Sequence, residues 1–342
     1  MNRNMRVQTL GVTLGLALSA SLGITQSALA QGVRASDAAI AAAKAEGGFL
    51  LYASISDPQI KALLAGFEKD YGIKGDFLRL VSTPLIQRFS AANDANSNDA
   101  DAFLDSSPQV FELHPEWFLK LDAKEIPNVT RWPARWVSSN AVTIQTSGSV
   151  IQFNTDLVKD ADIPKTWADV VDPKWKGKIL LTDPRISDTY LGWVDMLEKR
   201  YGADFIQKLG AQDVKLTQSG ASGAQLVAAG AHHLNFPAYS SFSVPLIEKK
   251  APISSRIMAD PVLASQTSLA VAAKAPHPKT ARLFLDWVLS ESAVRALCAA
   301  LPVSTPGDED GKLGCIALKD PQPLPWKTTP ERRAQLLKLL GL

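Results

Sequence analysis

Hydrophobic and polar positions along the chain alternate between two periods. Residues 49–53 form a short apolar run that reads as a buried strand, and within 59–71 the apolar Ile60, Leu63, Leu64 and Phe67 recur at helical spacing. A helical lead-in over 37–46 precedes them. The pattern repeats with a strand near 77–81 and a helix over 85–92, then a strand near 102–104 and a helix from Val110. A second run opens with a strand over 149–153 and another over 179–182, followed by a helix whose Tyr190, Trp193, Val194 and Leu197 share one face. It continues with a strand over 214–216, a helix ending near Ala229 and a strand over 232–236. Strands alternating with helices at this spacing predict the α/β class, built on parallel sheet.

Residues 267–272 read as one more strand, and 279–289 as a helix returning to the first unit. This predicts two lobes, 31–142 plus 267–342 and 143–266, joined by crossings near 142–147 and 264–267. Two lobes joined twice make a hinge with a cleft. Ligands of open α/β sheets bind outside the carboxyl ends of the strands, and hinge closure is the matching motion.

The amino terminus changes the picture of where the chain works. Arg3 and Arg6, an apolar run over 10–24 and Ala28-Leu29-Ala30 before Gln31 give the order of a secretory signal, residues 1–30, cut after Ala30. The run is shorter than the roughly 20 apolar residues of a bilayer span. No cysteine stands near the cut to carry a lipid, so the expectation is a free protein in the periplasm. The whole chain, 342 residues with 46% hydrophobic and 20% charged positions, suits a globular protein of about two domains. A formal net charge of +2 without a basic cluster gives no nucleic-acid partner.

Cys298 and Cys315 flank a loop rich in Pro and Gly, and in an oxidising compartment they favour one local structural disulfide. As metal ligands two cysteines without a neighbouring His are a poor set. His232 and His233 fall in a strand pattern that turns their rings to opposite faces, and His114 and His277 stand beside prolines. No metal and no cofactor are expected. No nucleophile elbow, phosphate loop, dinucleotide turn or paired zinc-binding histidines occur, so the chain does not read as an enzyme.

The candidate chemistry sits at strand ends. Ser56-Asp57-Pro58, Ser82-Thr83-Pro84 and Ser106-Ser107-Pro108 each put a capping residue before a proline, with Ser54 just ahead of the first. Such triplets predict helix starts, whose unpaired N–H groups and dipole favour an anion, although each is equally an ordinary cap. In the second lobe Arg185 and Ser187 follow a strand, and Ser219, Gly220, Ala221 and Ser222 open a helix. Arg185 can bind a carboxylate or phosphonate bidentately, or can pair with Asp183 or Asp188. Tyr239 ends a strand, where its phenol either enters the cleft or packs in the core.

Thr166-Trp167-Ala168-Asp169, then Asp172-Pro173-Lys174-Trp175-Lys176-Gly177-Lys178-Ile179, resemble the periplasmic solute-binding proteins of bacterial ABC importers. The likeness is to the ferric-ion, thiamine and phosphonate branch. Segments 153–158 and 281–290 extend the resemblance over most of the mature chain. It implies the type II two-lobed fold with two hinge crossings, a ligand in the interlobe cleft, and delivery to a membrane permease driven by a separate ATPase. Ferric-ion binders of this branch usually carry neighbouring tyrosines, whereas Tyr239 is followed by Ser240 and Ser241. The expected solute is therefore a small organic anion, a carboxylate, phosphonate or phosphate ester, with ferric ion as the alternative. The expected state is a monomer with that solute and the permease as partners.

Overall fold

The computed structural model describes residues 34–107, 109–301, 303–325 and 328–342; the expected signal segment lies outside them. The first lobe begins with α1 (Asp37–Lys44), β1 (Leu50–Ala53), α2 (Asp57–Tyr71), β2 (Asp76–Arg79), α3 (Ser82–Asp94), β3 (Ala102–Asp105) and the short α4 (Gln109–Leu113). Strand β4 (Val142–Gly148) leads through Ser149 into β5 (Val150–Asn154) of the second lobe. There follow β6 (Ile179–Thr182), α5 (Asp188–Tyr201), α6 (Ala203–Gly210), β7 (Lys215–Thr217), α7 (Gly220–Ala228), β8 (Leu234–Ala238), α8 (Val244–Glu248) and β9 (Ile253–Ile257). The long β10 (Leu263–Val271) returns to the first lobe, followed by α9 (Pro278–Val288), α10 (Glu291–Ala300), β11 (Gln322–Pro323) and α11 (Pro330–Leu340).

Each lobe is a sheet covered by helices. The first sheet runs β11-β10-β3-β1-β2 with β4 also on β10, and the second runs β7-β6-β8-β5-β9. Both are mixed, adding antiparallel strands to the parallel sheet expected from the sequence. β10 is antiparallel to β3 and β4, and β5 is antiparallel to β8 and β9. The reason is the hinge. The parallel strands point their carboxyl ends at the cleft, so a strand entering either lobe from the cleft must run the other way.

The first core is aromatic, with Phe67 against Phe49, Phe284 and Trp287 at centroid distances of 6.2, 5.2 and 5.8 Å. Trp167, Trp193 and Phe236 form the centre of the second. Trp167 is the tryptophan of the motif that carried the family resemblance, and it is fully buried.

The carboxyl-terminal segment departs from the partition expected above, which gave 267–342 to the first lobe. Leu336 and Leu340 of α11 join the second lobe's core, and Arg332 pairs with Asp195 at 2.7 Å and Glu198 at 2.6 Å on α5. A third segment thus passes between the lobes after β11. Two glycines admit it: a Cβ on Gly192 would stand 2.1 Å from the Pro325 carbonyl oxygen, and one on Gly210 2.5 Å from that of Leu340. Periodicity identifies a helix's apolar face but not which core receives it.

Cys298 and Cys315 form a disulfide with Cα atoms 4.9 Å apart. In a chain-entropy view, closing a loop of this length is worth about 3 kcal/mol. The loop grips β4: Thr305 donates to the Ile144 carbonyl at 2.7 Å, and Thr146 N–H to that of Ser304 at 2.9 Å. The histidine pair lies just before β8 and not inside it, since that strand starts at Leu234.

Candidate functional site

A cavity of about 520 Å³, counting its open mouth, lies between the lobes at the strand carboxyl ends. The first lobe supplies Ser54, Ser56, Gln59, Arg79, Ser82 and Ser106 to its walls. The crossing strands supply Gln145, Ser147, Ser265 and Thr267, and the second lobe Ser187, Thr189, Tyr190, Tyr239, Ser241 and Phe242.

Local sequence explains several placements. Ser56 caps α2 in a reciprocal box with Gln59, and Pro58 occupies the first turn. Gln59 reaches on to Gln145 at 2.9 Å, whose amide donates to Ser147 at 2.6 Å, so a hydrogen-bonded chain joins α2 to the hinge strand. Ser187 caps α5, accepting from Thr189 N–H at 3.2 Å. Ser82 differs from expectation. The helix starts at Ser82 itself, with Val81 at the cap position, and the Ser82 hydroxyl donates to Asp105. A fully buried carboxylate needs that proton, and the hydroxyl turns toward it and not to a cap position over the helix amides.

Asp105 lies just behind the wall. Its Oδ1 also accepts Ser107 N–H at 2.7 Å, while its Oδ2 is buried without a partner. Burial pushes its carboxyl up to about 6, against the lowering effect of the Ser82, Ser107 and Ser54 bonds.

Arg79 is the one charged group among the described residues lining the cavity. It ends β2, half-buried, donates through Nε to the Ile55 carbonyl at 3.2 Å, and pairs with no carboxylate among the described residues. No Asp, Glu or His faces the cavity from these residues.

Arg185 does not line this cavity. Its guanidinium forks onto Asp183 at 2.7 to 3.1 Å, the pairing weighed against a ligand role from sequence. Thr83 is likewise absent from the cavity wall, and Ser107 is buried behind it, donating to Ser82 at 3.1 Å. Ser219 caps α7 through Ser222 N–H at 3.1 Å, and neither it, Gly220, Ala221 nor Ser222 lines the cavity. The Gly220 N–H instead supports the Tyr190 phenol oxygen.

Tyr190 is the residue that sequence reasoning left in a hydrophobic stripe. Its ring stacks beside Tyr239 with centroids 6.5 Å apart, so Tyr239 is not a lone tyrosine. Desolvation pushes the Tyr190 phenol up to about 12 although Arg79 and Gly220 oppose it, and raises Tyr239 further. The Tyr239 hydroxyl is buried and has no hydrogen-bond partner of ordinary geometry among the described residues; Tyr190 adds to its upward shift and Ser265 opposes it. The missed hinge residues had a signal too: Gln145, Ser147, Ser265 and Thr267 are polar residues inside strands that the topology buries.

A family described as bacterial extracellular solute-binding protein matches residues 53–295. The chain belongs to this family. Similar solved structures include the substrate-binding protein of an ABC transporter from Agrobacterium tumefaciens, 18% identical with a TM-score of 0.74 over 86% of this chain and 93% of that one. The periplasmic binding protein AfuA from Actinobacillus pleuropneumoniae, with fructose-6-phosphate bound, is 19% identical with a TM-score of 0.69 over 86% and 99%. Iron-bound HitA from Pseudomonas aeruginosa is 20% identical with a TM-score of 0.66 over the same shares. The fold is thus the type II periplasmic-binding fold read from the sequence. By family this chain is a bacterial extracellular solute-binding protein.

Proposed function

We propose that the cleft captures a small organic anion, a carboxylate, phosphonate or phosphate ester, and that the lobes close over it for delivery to a membrane permease. The observation that carries this reading is Arg79, a cation without a carboxylate partner among the described residues, in a cavity whose described walls hold no acid and no imidazole. An unpaired guanidinium at the meeting of two lobes is costly to desolvate until an anion neutralises it, and a bidentate oxyanion suits its geometry. Ser54, Ser56, Ser82, Ser106, Ser187 and Tyr239 serve as the surrounding polar contacts, and the starts of α2, α3 and α5 add their dipoles. The protein works as an exported monomer, its segment 1–30 removed.

One observation favours a second reading. The Tyr190 and Tyr239 pair offers two phenols of the kind that hold ferric ion in the resembled branch. Against it stand the upward shift of both phenols, which disfavours phenolates, and the positive Arg79 in the same space. Native mass spectrometry of protein purified without refolding tests both. Retention of a small anion is expected; retained iron with a visible phenolate-to-iron absorption band would replace the anion reading with the ferric one.

A further inference from the structure

The hydroxyls around the cavity are not alike, because some have their single proton committed elsewhere. Ser56 N–H donates to Gln59 Oε1 at 3.1 Å, which fixes that amide's orientation, so the Ser56 hydroxyl 2.6 Å from the same oxygen must donate as well. Ser82 donates to Asp105 and accepts from Ser107 at 3.1 Å. Ser54 accepts Ser106 N–H at 3.1 Å and stands close enough to Asp105 to favour its ionised form. Ser56 and Ser82 therefore turn only lone pairs toward the cavity.

Asp105 keeps the arrangement in place. The carboxylate is fully buried and one oxygen already lacks a partner, so releasing a further donor would leave an almost bare buried charge. Donors are found elsewhere in the cavity: Arg79, the Ser187 hydroxyl that accepts from Thr189, and the phenol of Tyr190 that accepts from Gly220. The cavity thus combines groups that can donate with serine oxygens that can only accept.

We infer that the solute is an anion that also carries a hydrogen-bond donor, a hydroxyl or an ammonium, and that Asp105 is the positioning residue that imposes this demand through Ser82. The inference rests on the anion reading above. The anionic group meets the donors around Arg79, and the donor group meets the lone pairs of the first-lobe serines. An anion of equal size with a methyl in place of that group leaves those buried lone pairs unpaired, a mismatch against which hydrogen-bonding sites discriminate strongly.

Calorimetry with matched probes tests it: n-butyl phosphate, 3-hydroxypropyl phosphate and 3-aminopropyl phosphate, and pentanoate, 4-hydroxybutyrate and 4-aminobutyrate. In the intact protein one donor-bearing probe should bind about tenfold or more tighter than its methyl counterpart. Which one does so tells hydroxyl from ammonium. In Asp105→Asn, whose amide supplies a donor and frees the Ser82 proton, that preference should collapse while the methyl probe binds at least as well. If Asp105→Asn does not fold, Ser82→Ala serves instead, with the same loss of preference expected. Equal affinity within each matched set, lost in Arg79→Gln, would overturn the inference and leave the anion reading standing. Binding of none of the six would overturn both.

Discussion

Thr189, on the first turn of α5, donates its hydroxyl to the main-chain carbonyl of Ser106 at the end of β3, 2.8 Å away across the cleft. The bond joins the two lobes directly at the wall of the cavity. Beside it, Gln109 of the first lobe donates to Asp188, whose other oxygen lies 3.4 Å from Arg333 on α11. The lobes are therefore held in contact by polar groups that must separate for a solute to enter or leave.

Thr189→Val keeps the shape of the side chain and removes the donor. A neutral hydrogen bond of this kind contributes about 0.5–1.5 kcal/mol, so affinity should fall by about 2- to 10-fold. The loss should fall on the dissociation rate, because the bond forms only after the solute has entered. Stopped-flow release of the retained solute measures this, and an unchanged dissociation rate would separate the Thr189 bond from closure.

Asp105 gives stability a pH dependence of definite sign. Its folded-state pKa of about 6 lies above the ordinary value of 3.8, so the folded protein binds this proton more tightly than the unfolded chain does. Below the ordinary value both states are protonated and burial costs nothing through ionisation. As pH rises from about 4 to about 6 that advantage is lost, on the order of 3 kcal/mol. Urea midpoints of the intact protein and Asp105→Asn, compared from pH 4 to 7, should show the variant gaining relative stability as pH rises. A constant difference would contradict the shift.

Gly192 tests the docking of the carboxyl-terminal segment on the second lobe. A methyl there would overlap the Pro325 carbonyl oxygen, so Gly192→Ala should displace that segment and cost about 1–3 kcal/mol. Hydrogen exchange should accelerate in α11, whose Leu336 and Leu340 would lose part of their packing. Unaltered protection in α11 would show that the overlap is relieved elsewhere.

Much of this architecture was legible because its determinants are local. The stripe of Ile60, Leu63, Leu64 and Phe67 marked α2, and Ser56 and Ser219 announced helix starts that lie at or within a residue of their positions. Strand direction was not legible, since apolar runs such as those of β5 and β10 read the same either way. The cleft was half legible. Arg185 drew attention as a cation after a strand, but Asp183 two residues away satisfies it. Arg79 ends an ordinary apolar strand, and only the folded chain reveals that no carboxylate among the described residues pairs with it. Tyr190 belongs to the helical stripe by spacing, yet its hydroxyl end reaches the cavity, because a tyrosine at the end of a helix can bury its ring and still present a polar tip.

The central claim is that Arg79 holds an anion in the cleft, and the most direct measurement compares solute occupancy of Arg79→Gln and Arg185→Gln by native mass spectrometry after identical purification. Charge-assisted hydrogen bonds contribute about 1.5–3 kcal/mol, so Arg79→Gln should lose about 10- to 100-fold in affinity and emerge largely empty. Arg185→Gln should retain the solute like the intact protein. Full occupancy in Arg79→Gln, or its loss in Arg185→Gln alone, would contradict this account.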